Sequence, residues 1–361
     1  MTSGDAPQPP AAETAADQGE VVAFLGRLLG DMAATYTSVL VAIGDQLGLF
    51  RALAPAPATA DELASLTGTS ERYAKEWLDG LASAGYVEHD EGSGRYTLPA
   101  AHAVALADEG NPFCVAGMYE NFLGLTAVLE PVIDAFRTGE GVRYAEYPPA
   151  VFDGMARMTG AAMDNVLVPK WLPMVPDVAA RLAAGARVAD VGCGQGRALL
   201  AMARAFPASS FVGIDFHRPN VELASARAGA LGLGDRVHFE TGDAGRGLPG
   251  RFDVVCLFDV LHDSADPTGL LRSVRAGLVD GGTLMVLEPN DGAGPTGPVA
   301  SLQYGMSMLY CLSVSLGSGG PGLGTCGTPE PVVRSLCEEA GFNSVEEVPI
   351  ENFMNRMYAV R

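Results

Sequence analysis

The stretch Val188-Ala189-Asp190-Val191-Gly192-Cys193-Gly194-Gln195-Gly196 decides the fold. A short apolar run enters a glycine-rich turn, and helical spacing follows from Arg197 to Phe206. That is a strand delivering a turn that opens a helix. Glycines there let backbone approach a ligand closely, where Cβ atoms would stand in the way. A dinucleotide site usually spaces its glycines G-x-G-x-x-G, with a pyrophosphate on the helix N-terminus. Here the spacing is G-x-G-x-G, and Asp190 stands two residues before Gly192. A carboxylate in that place repels pyrophosphate and suits a ligand with a positive amino group. Both features argue against the rival reading of a nicotinamide oxidoreductase.

Outward from this turn, apolar runs alternate with helical stretches: RVADVG, FVGIDF, VHFETGD, FDVVCLFD, TLMVLEP, VEEVPI and MYAVR. The alternation predicts a parallel α/β sheet. The second run ends in Asp215, placed to accept both hydroxyls of a ribose. The third ends in Gly242-Asp243-Ala244. Asp243 can accept an exocyclic amine of adenine, and the Ala244 amide can face a ring nitrogen. The glycine turn alone is a weak signal. Three acidic residues at the carboxyl ends of successive strands are a strong one.

Upstream, Thr59 with Glu62 forms a capping-box pattern before a short helix that Gly68 ends. Ser70 opens a second helix running to Gly85, and Tyr86–Glu88 and Tyr96–Leu98 flank a Gly92/Gly94 turn. Helix, turn, helix and hairpin make a winged helix. Its second helix carries Arg72 and Lys75 against Glu71, Glu76 and Asp79, so it is a poor reader of DNA. Dimerisation or scaffolding is the expected role. Before it, Val22, Phe24, Leu25, Leu28, Leu29, Leu40, Ile43 and Leu47 predict one or two helices that bury one face. The expected division is a disordered tail over 1–18, a winged-helix dimerisation domain over 19–100, a helical substrate-pocket region over 101–178 and a cofactor domain over 179–361.

The 361 residues carry a formal net charge of −20 and 48% hydrophobic residues. The charge argues against a nucleic-acid partner, which needs clustered Lys and Arg, and against a basic membrane-surface face. No apolar run in the sequence reads as a span of about 18–20 residues. The opening residues have neither the basic start nor the apolar core of a signal peptide. Six scattered cysteines show no zinc spacing and fit reduced thiols in a cytoplasmic protein.

DVGCGQG, GID, GDA, FDVVCLFDVLHD and LVDGGTLMVLEP together resemble class I S-adenosylmethionine-dependent methyltransferases over about 180–361. With the winged-helix front end and LYCLSVSLGSGGPGLGTCG, the chain resembles the bacterial small-molecule methyltransferases. These include a group related to phenylpyruvate C-methyltransferases and, more distantly, O-methyltransferases of natural-product pathways. The resemblance implies a seven-stranded Rossmann-like sheet whose last strand inserts antiparallel. It implies S-adenosylmethionine as cofactor, held by Asp190, Gly192, Gly194, Gly196, Asp215, Asp243, Ala244 and Phe258, and a small-molecule acceptor. A homodimer is the expected assembly.

His262 follows the fourth strand, at the edge where α/β sheets bind ligands, and is the candidate general base. In the O-methyltransferases that the chain resembles, a histidine stands there. O-methylation is therefore the expected reaction, with C-methylation of an enolisable or aromatic carbon as the alternative. A ligand-sensing regulator without catalysis is the rival from another class. A metal reading through His262, Asp263 and Asp259 finds no later histidine to complete it, and no resident metal is expected. Acceptor-lining candidates are Met118–Phe122, Met155–Met163 and Gln303–Leu312, with Tyr119, Tyr144 and Tyr147 as hydrogen-bonding candidates. The glycine-rich Leu316–Gly327 is either a mobile loop over the substrate or an inert connection.

Overall fold

The computed structural model describes residues 17–290, 296–352 and 354–361. Most of the expected 1–18 tail lies outside the described residues. Its last two residues are ordered: Asp17 caps a 29-residue helix, Gln18–Gln46, by accepting from the Gly19 amide.

The winged helix forms as the local signals dictate. Thr59 and Glu62 close both halves of the capping box over Ala60–Thr67. Glu71–Ser83 follows, although Ser70 holds the cap position without a side-chain bond. The hairpin pairs β1 (Glu88–Asp90) with β2 (Arg95–Thr97). Phe50, Leu63, Trp77, Leu78, Leu81 and Tyr96 form its core.

The long first helix departs from expectation. It does not bury one face along its length. Val22, Phe24, Leu25, Leu28 and Leu29 are exposed, and Ile43 and Leu47 remain largely so, while Val41 is fully buried. The reason is simple: the helix runs beyond the winged-helix core, so among the described residues no other element covers its first half. Buried Asp45 anchors the other end, through Arg157 on the helix Pro149–Ala162 at 2.7 and 2.9 Å.

Residues 100–184 are mainly helical. They end in a π-helical turn, Met163–Trp171, and the helix Pro176–Ala184. The sheet then begins. Its strands are β3 (Arg187–Val191), β4 (Ser210–Asp215), β5 (Val237–Thr241), β6 (Phe252–Phe258), β7 (Leu278–Pro289), β8 (Val345–Val348) and β9 (Asn355–Val360). Their spatial order is β5-β4-β3-β6-β7-β9-β8. The first five are parallel, and β9 inserts antiparallel between β7 and β8.

Each face of the sheet has its own core. Val188, Val254, Cys256, Met285 and Leu287 pack on one side against Leu167, Trp171, Leu182, Leu199 and Met202. Ala189, Val191, Val255, Leu257 and Leu284 pack on the other against Leu271, Val274 and Val333. Burial on both faces explains why these strands read as continuous apolar runs rather than alternating ones. Because β4 and β6 flank β3, the strand order reverses at β3. A crevice opens there at the carboxyl ends, where such sheets bind ligands.

One helical run, Pro298–Gly317, is long and apolar enough to cross a membrane by length and composition, unlike any run read from sequence. It lies against the protein instead, with Gln303, Ser307, Tyr310, Cys311 and Val314 buried. No disulfide joins the described cysteines.

Candidate active site

The glycine turn follows β3 directly, and all three of its glycines have left-handed φ, at 72°, 51° and 78°. Their reasons differ. A Cβ on Gly192 would meet Val260 at 2.6 Å, and one on Gly196 would meet Phe239 at 2.6 Å. Those two glycines permit packing. A Cβ on Gly194 would meet nothing within 4 Å, so this backbone faces open space.

Two buried carboxylates lie at the carboxyl ends of β3 and β4, beside that turn. Asp190 and Asp215 are 3% and 7% exposed. Burial and the charge of Asp215 push the Asp190 carboxyl up to about 8. Burial also raises Asp215, although the amides of His217 and Gly194 each donate to it at 2.8 Å. Paired buried acids raised in this way gain from a nearby cation. A ligand with a positive amino group and a ribose therefore suits both the open backbone and the charge. Asp243 sits farther out. It is exposed, accepts from the Gly245 amide at 3.0 Å and pairs with Arg246 at 3.1 Å. Ala244 beside it is buried, and its carbonyl accepts the Ser273 hydroxyl. Phe258 is half-buried at the end of β6.

After β6 the chain makes an abrupt turn. Asp259 has φ 57°, the only positive value at a non-glycine among the described residues. Such positions mark functional sites. Its amide donates to the Leu287 carbonyl at 2.7 Å, and its carboxyl accepts from Asn355 Nδ2 at 2.6 Å. Burial lifts that carboxyl to about 7. The turn delivers His262 on a short 3-10 element, Leu261–Asp263.

His262 is 5% exposed, and its Nδ1 lies 2.8 Å from Glu288 Oε2. Glu288 is fully buried at the end of β7. Its Oε1 accepts from the amides of Val260 and Leu261 at 3.1 and 2.8 Å, and its Oε2 from the Thr328 hydroxyl at 3.0 Å. With every other partner a donor, Glu288 accepts and His262 Nδ1–H donates. That fixes the tautomer and leaves the Nε2 lone pair for chemistry. Burial works against the imidazolium, but Glu288 and Cys311 outweigh it and raise the pKa above the ordinary histidine value. Burial also lifts Asp263 next door to about 6.

The sequence reading did not single out Glu288. The available signal was its place: a carboxylate closing an apolar strand at the same edge as Asp190, Asp215 and His262. It also left open whether Leu316–Gly327 is a lid or an inert connection. The described loop is tied inward. The Gly324 amide donates to the His262 carbonyl at 3.0 Å, and buried Thr325 and Thr328 face the base region.

Of the three tyrosines, Tyr147 spends its hydroxyl on the Leu309 carbonyl at 2.8 Å. Tyr119 packs on the winged-helix core. Only Tyr144 stands over the crevice. It stacks on Phe152 at 4.6 Å and meets Phe216 at 4.5 Å and His217 at 5.2 Å. The acceptor candidates are partly structural: Asn121 Nδ2 binds the Val151 carbonyl and Gln303 Nε2 the Asn290 carbonyl. Among the described residues no three His, Cys, Asp or Glu side chains cluster to hold a metal ion.

Residues 182–309 match the family described as methyltransferase domain, and residues 35–108 match the Rv2258c-like winged HTH domain. A phenazine O-methyltransferase of Lysobacter antibioticus is 28% identical over 68% of this chain and 73% of its own length. An O-methyltransferase of Streptomyces lavendulae is 27% identical over 88% of this chain and 94% of its own. Among solved structures, mitomycin 7-O-methyltransferase superposes with a TM-score of 0.70 at 22% identity, covering 96% of this chain and 99% of that one. Human N-acetylserotonin methyltransferase in complex with S-adenosylmethionine gives 0.68 at 20% identity, covering 96% and 99%. The strand order, the acidic glycine turn and both domain matches agree: the chain joins a winged-helix domain to a methyltransferase domain, and the enzyme is an S-adenosylmethionine-dependent methyltransferase.

Proposed function

We propose that this enzyme methylates a hydroxyl of a small secondary-metabolite acceptor, with His262 as general base. The observation that carries the reading is the buried His262–Glu288 pair at 2.8 Å, set beside the carboxyl ends of β6 and β7. When bound, S-adenosylmethionine supplies a methyl carbon made electrophilic by its sulfonium. Asp190 would face the amino group, Asp215 would accept the ribose hydroxyls, and Gly194 would give the backbone its close approach. Asp243, Ala244 and Phe258 would flank the adenine side. His262 Nε2 takes the acceptor's hydroxyl proton, and Glu288 holds the ring in the tautomer that can do so. Relatives named for phenazine, puromycin and mitomycin substrates support the acceptor class.

The exposed apolar half of Gln18–Gln46 supports a homodimer in which a second copy covers it. Sedimentation velocity at micromolar concentration should give a dimer. A monomer at that concentration would remove this assignment. A cytoplasmic location fits the six cysteines, which carry no zinc spacing.

Calorimetric titration with S-adenosylmethionine and S-adenosylhomocysteine, followed by a screen of phenols, 2-keto acids and amines, tests the whole reading. Binding of both ligands and transfer to phenols is the expected outcome. Transfer to 2-keto acids alone would replace it with C-methylation. Asp215→Ala should weaken cofactor binding by about 10- to 100-fold, since hydrogen bonds to a charged group contribute ~1.5–3 kcal/mol. Unchanged affinity would remove the ribose role.

A further inference from the structure

Asp259, with φ 57°, is the only non-glycine in the left-handed region among the described residues. That conformation costs an L-residue energy that glycine does not lose, so something nearby must offset it. The turn it begins has two anchors. Glu288 on β7 takes the far end, accepting from the Val260 and Leu261 amides and from His262. Asn355 takes the near end, where its Nδ2 donates to Asp259 Oδ1 at 2.6 Å.

Asn355 comes from a distant part of the chain. It opens β9 opposite Pro289, the last residue of β7, so its side chain crosses the end of β7 to reach the turn after β6. Its own place is fixed. Asn352 Oδ1 accepts from the Met354 and Asn355 amides at 2.8 and 3.2 Å. The Asn290 amide donates to the Met354 carbonyl at 2.7 Å, and Arg356 Nε donates to Asn290 Oδ1 at 2.8 Å. These bonds pin the residues on both sides of Asn355. The inserted antiparallel strand therefore completes the sheet and also clamps the turn.

We propose that Asn355 is a positioning residue for the base: by gripping the Asp259 carboxyl it holds the left-handed turn that sets His262 against Glu288. Its bearing on catalysis rests on His262 as general base. The ring lies three residues beyond the gripped carboxyl. Slack at Asp259 reaches the imidazole through Val260 and Leu261, whose amides are bonded to Glu288. Those two amides report the slack directly, because they exchange with water only when the turn opens.

The test is amide hydrogen exchange, read by NMR on the full-length protein. In Asn355→Ala the Val260 and Leu261 amides should exchange about fivefold faster, the factor one hydrogen bond contributes. The amide of fully buried Val255, in the middle of β6, should keep its rate, because only the turn is loosened. Asp259→Ala leaves β9 intact and should speed the same two amides by at least as much. Asp259→Asn keeps both the tolerance for a left-handed φ and an acceptor for Asn355, so its rates should stay within about twofold of wild type. Asp259→Gly needs no grip, and adding Asn355→Ala to it should change nothing further. Unmoved rates at Val260 and Leu261 in Asn355→Ala and Asp259→Ala overturn the proposal, as does an equal rise at Val255, which would mark a general loss of stability. Failure of the underlying reading looks different: His262→Ala would keep full turnover while Asn355→Ala still loosened the turn.

Discussion

Replacing His262 with alanine is expected to lower turnover by about 100- to 10,000-fold, the usual contribution of a positioned general base. Affinity for S-adenosylmethionine should stay within about twofold, since none of the proposed cofactor contacts, which end with Phe258 on β6, lies on the Leu261–Asp263 element that carries His262. The side chain is buried, so a stability control is needed. His262→Gln keeps a polar group beside Glu288 and should fold normally while losing the same activity. Initial rates with calorimetry on both variants check this. Full turnover in either one would remove the acid–base assignment.

Glu288 carries the second large effect, and its two replacements separate two roles. Glu288→Ala strands the Val260 and Leu261 amides, the Thr328 hydroxyl and the His262 ring in a fully buried place. Removing one member of a buried pair costs about 3–5 kcal/mol of stability, readable by denaturant titration. Glu288→Gln keeps the shape but offers an amide, which can turn the imidazole to the wrong tautomer. Turnover should fall by about 100- to 10,000-fold, as when the orienting acid of a triad becomes an amide. The pH profile gives the sign. The base must be neutral, so activity rises as pH climbs through its pKa. Because Glu288 raises that pKa, the acid limb in the wild type should lie above the ordinary ~6.5. In Glu288→Gln it should move down. A limb that does not move would separate His262 from Glu288 in the reaction.

How far the sequence reaches depends on which force writes the signal. Strands buried on both faces must be apolar throughout, so β3, β4, β6 and β7 were readable as runs, and the antiparallel insertion of the last strand followed from the resemblance. The winged helix was readable from its caps, Thr59 with Glu62 and Gly68, because caps are local. His262 was readable from its place after a strand. Glu288 was not, because a glutamate before Pro289 looks the same whether it meets water or a buried imidazole. Thr328 reaches Glu288 through a loop without period, and only the folded chain brings it there. Tyr119, Tyr144 and Tyr147 look equivalent in sequence, yet tertiary packing leaves Tyr144 alone over the crevice. The apolar pattern of Gln18–Gln46 correctly announced a helix. It could not tell a face buried within the chain from one left for another molecule.

The most direct test of the central claim is product analysis. The full-length enzyme is supplied with methyl-labelled S-adenosylmethionine and a panel of phenols, and the label is located in the product by carbon-13 NMR, with His262→Ala run in parallel. The account predicts a methyl group on oxygen, formed by the wild type and lost in His262→Ala. A methyl group on carbon, or the same yield from both proteins, would contradict it.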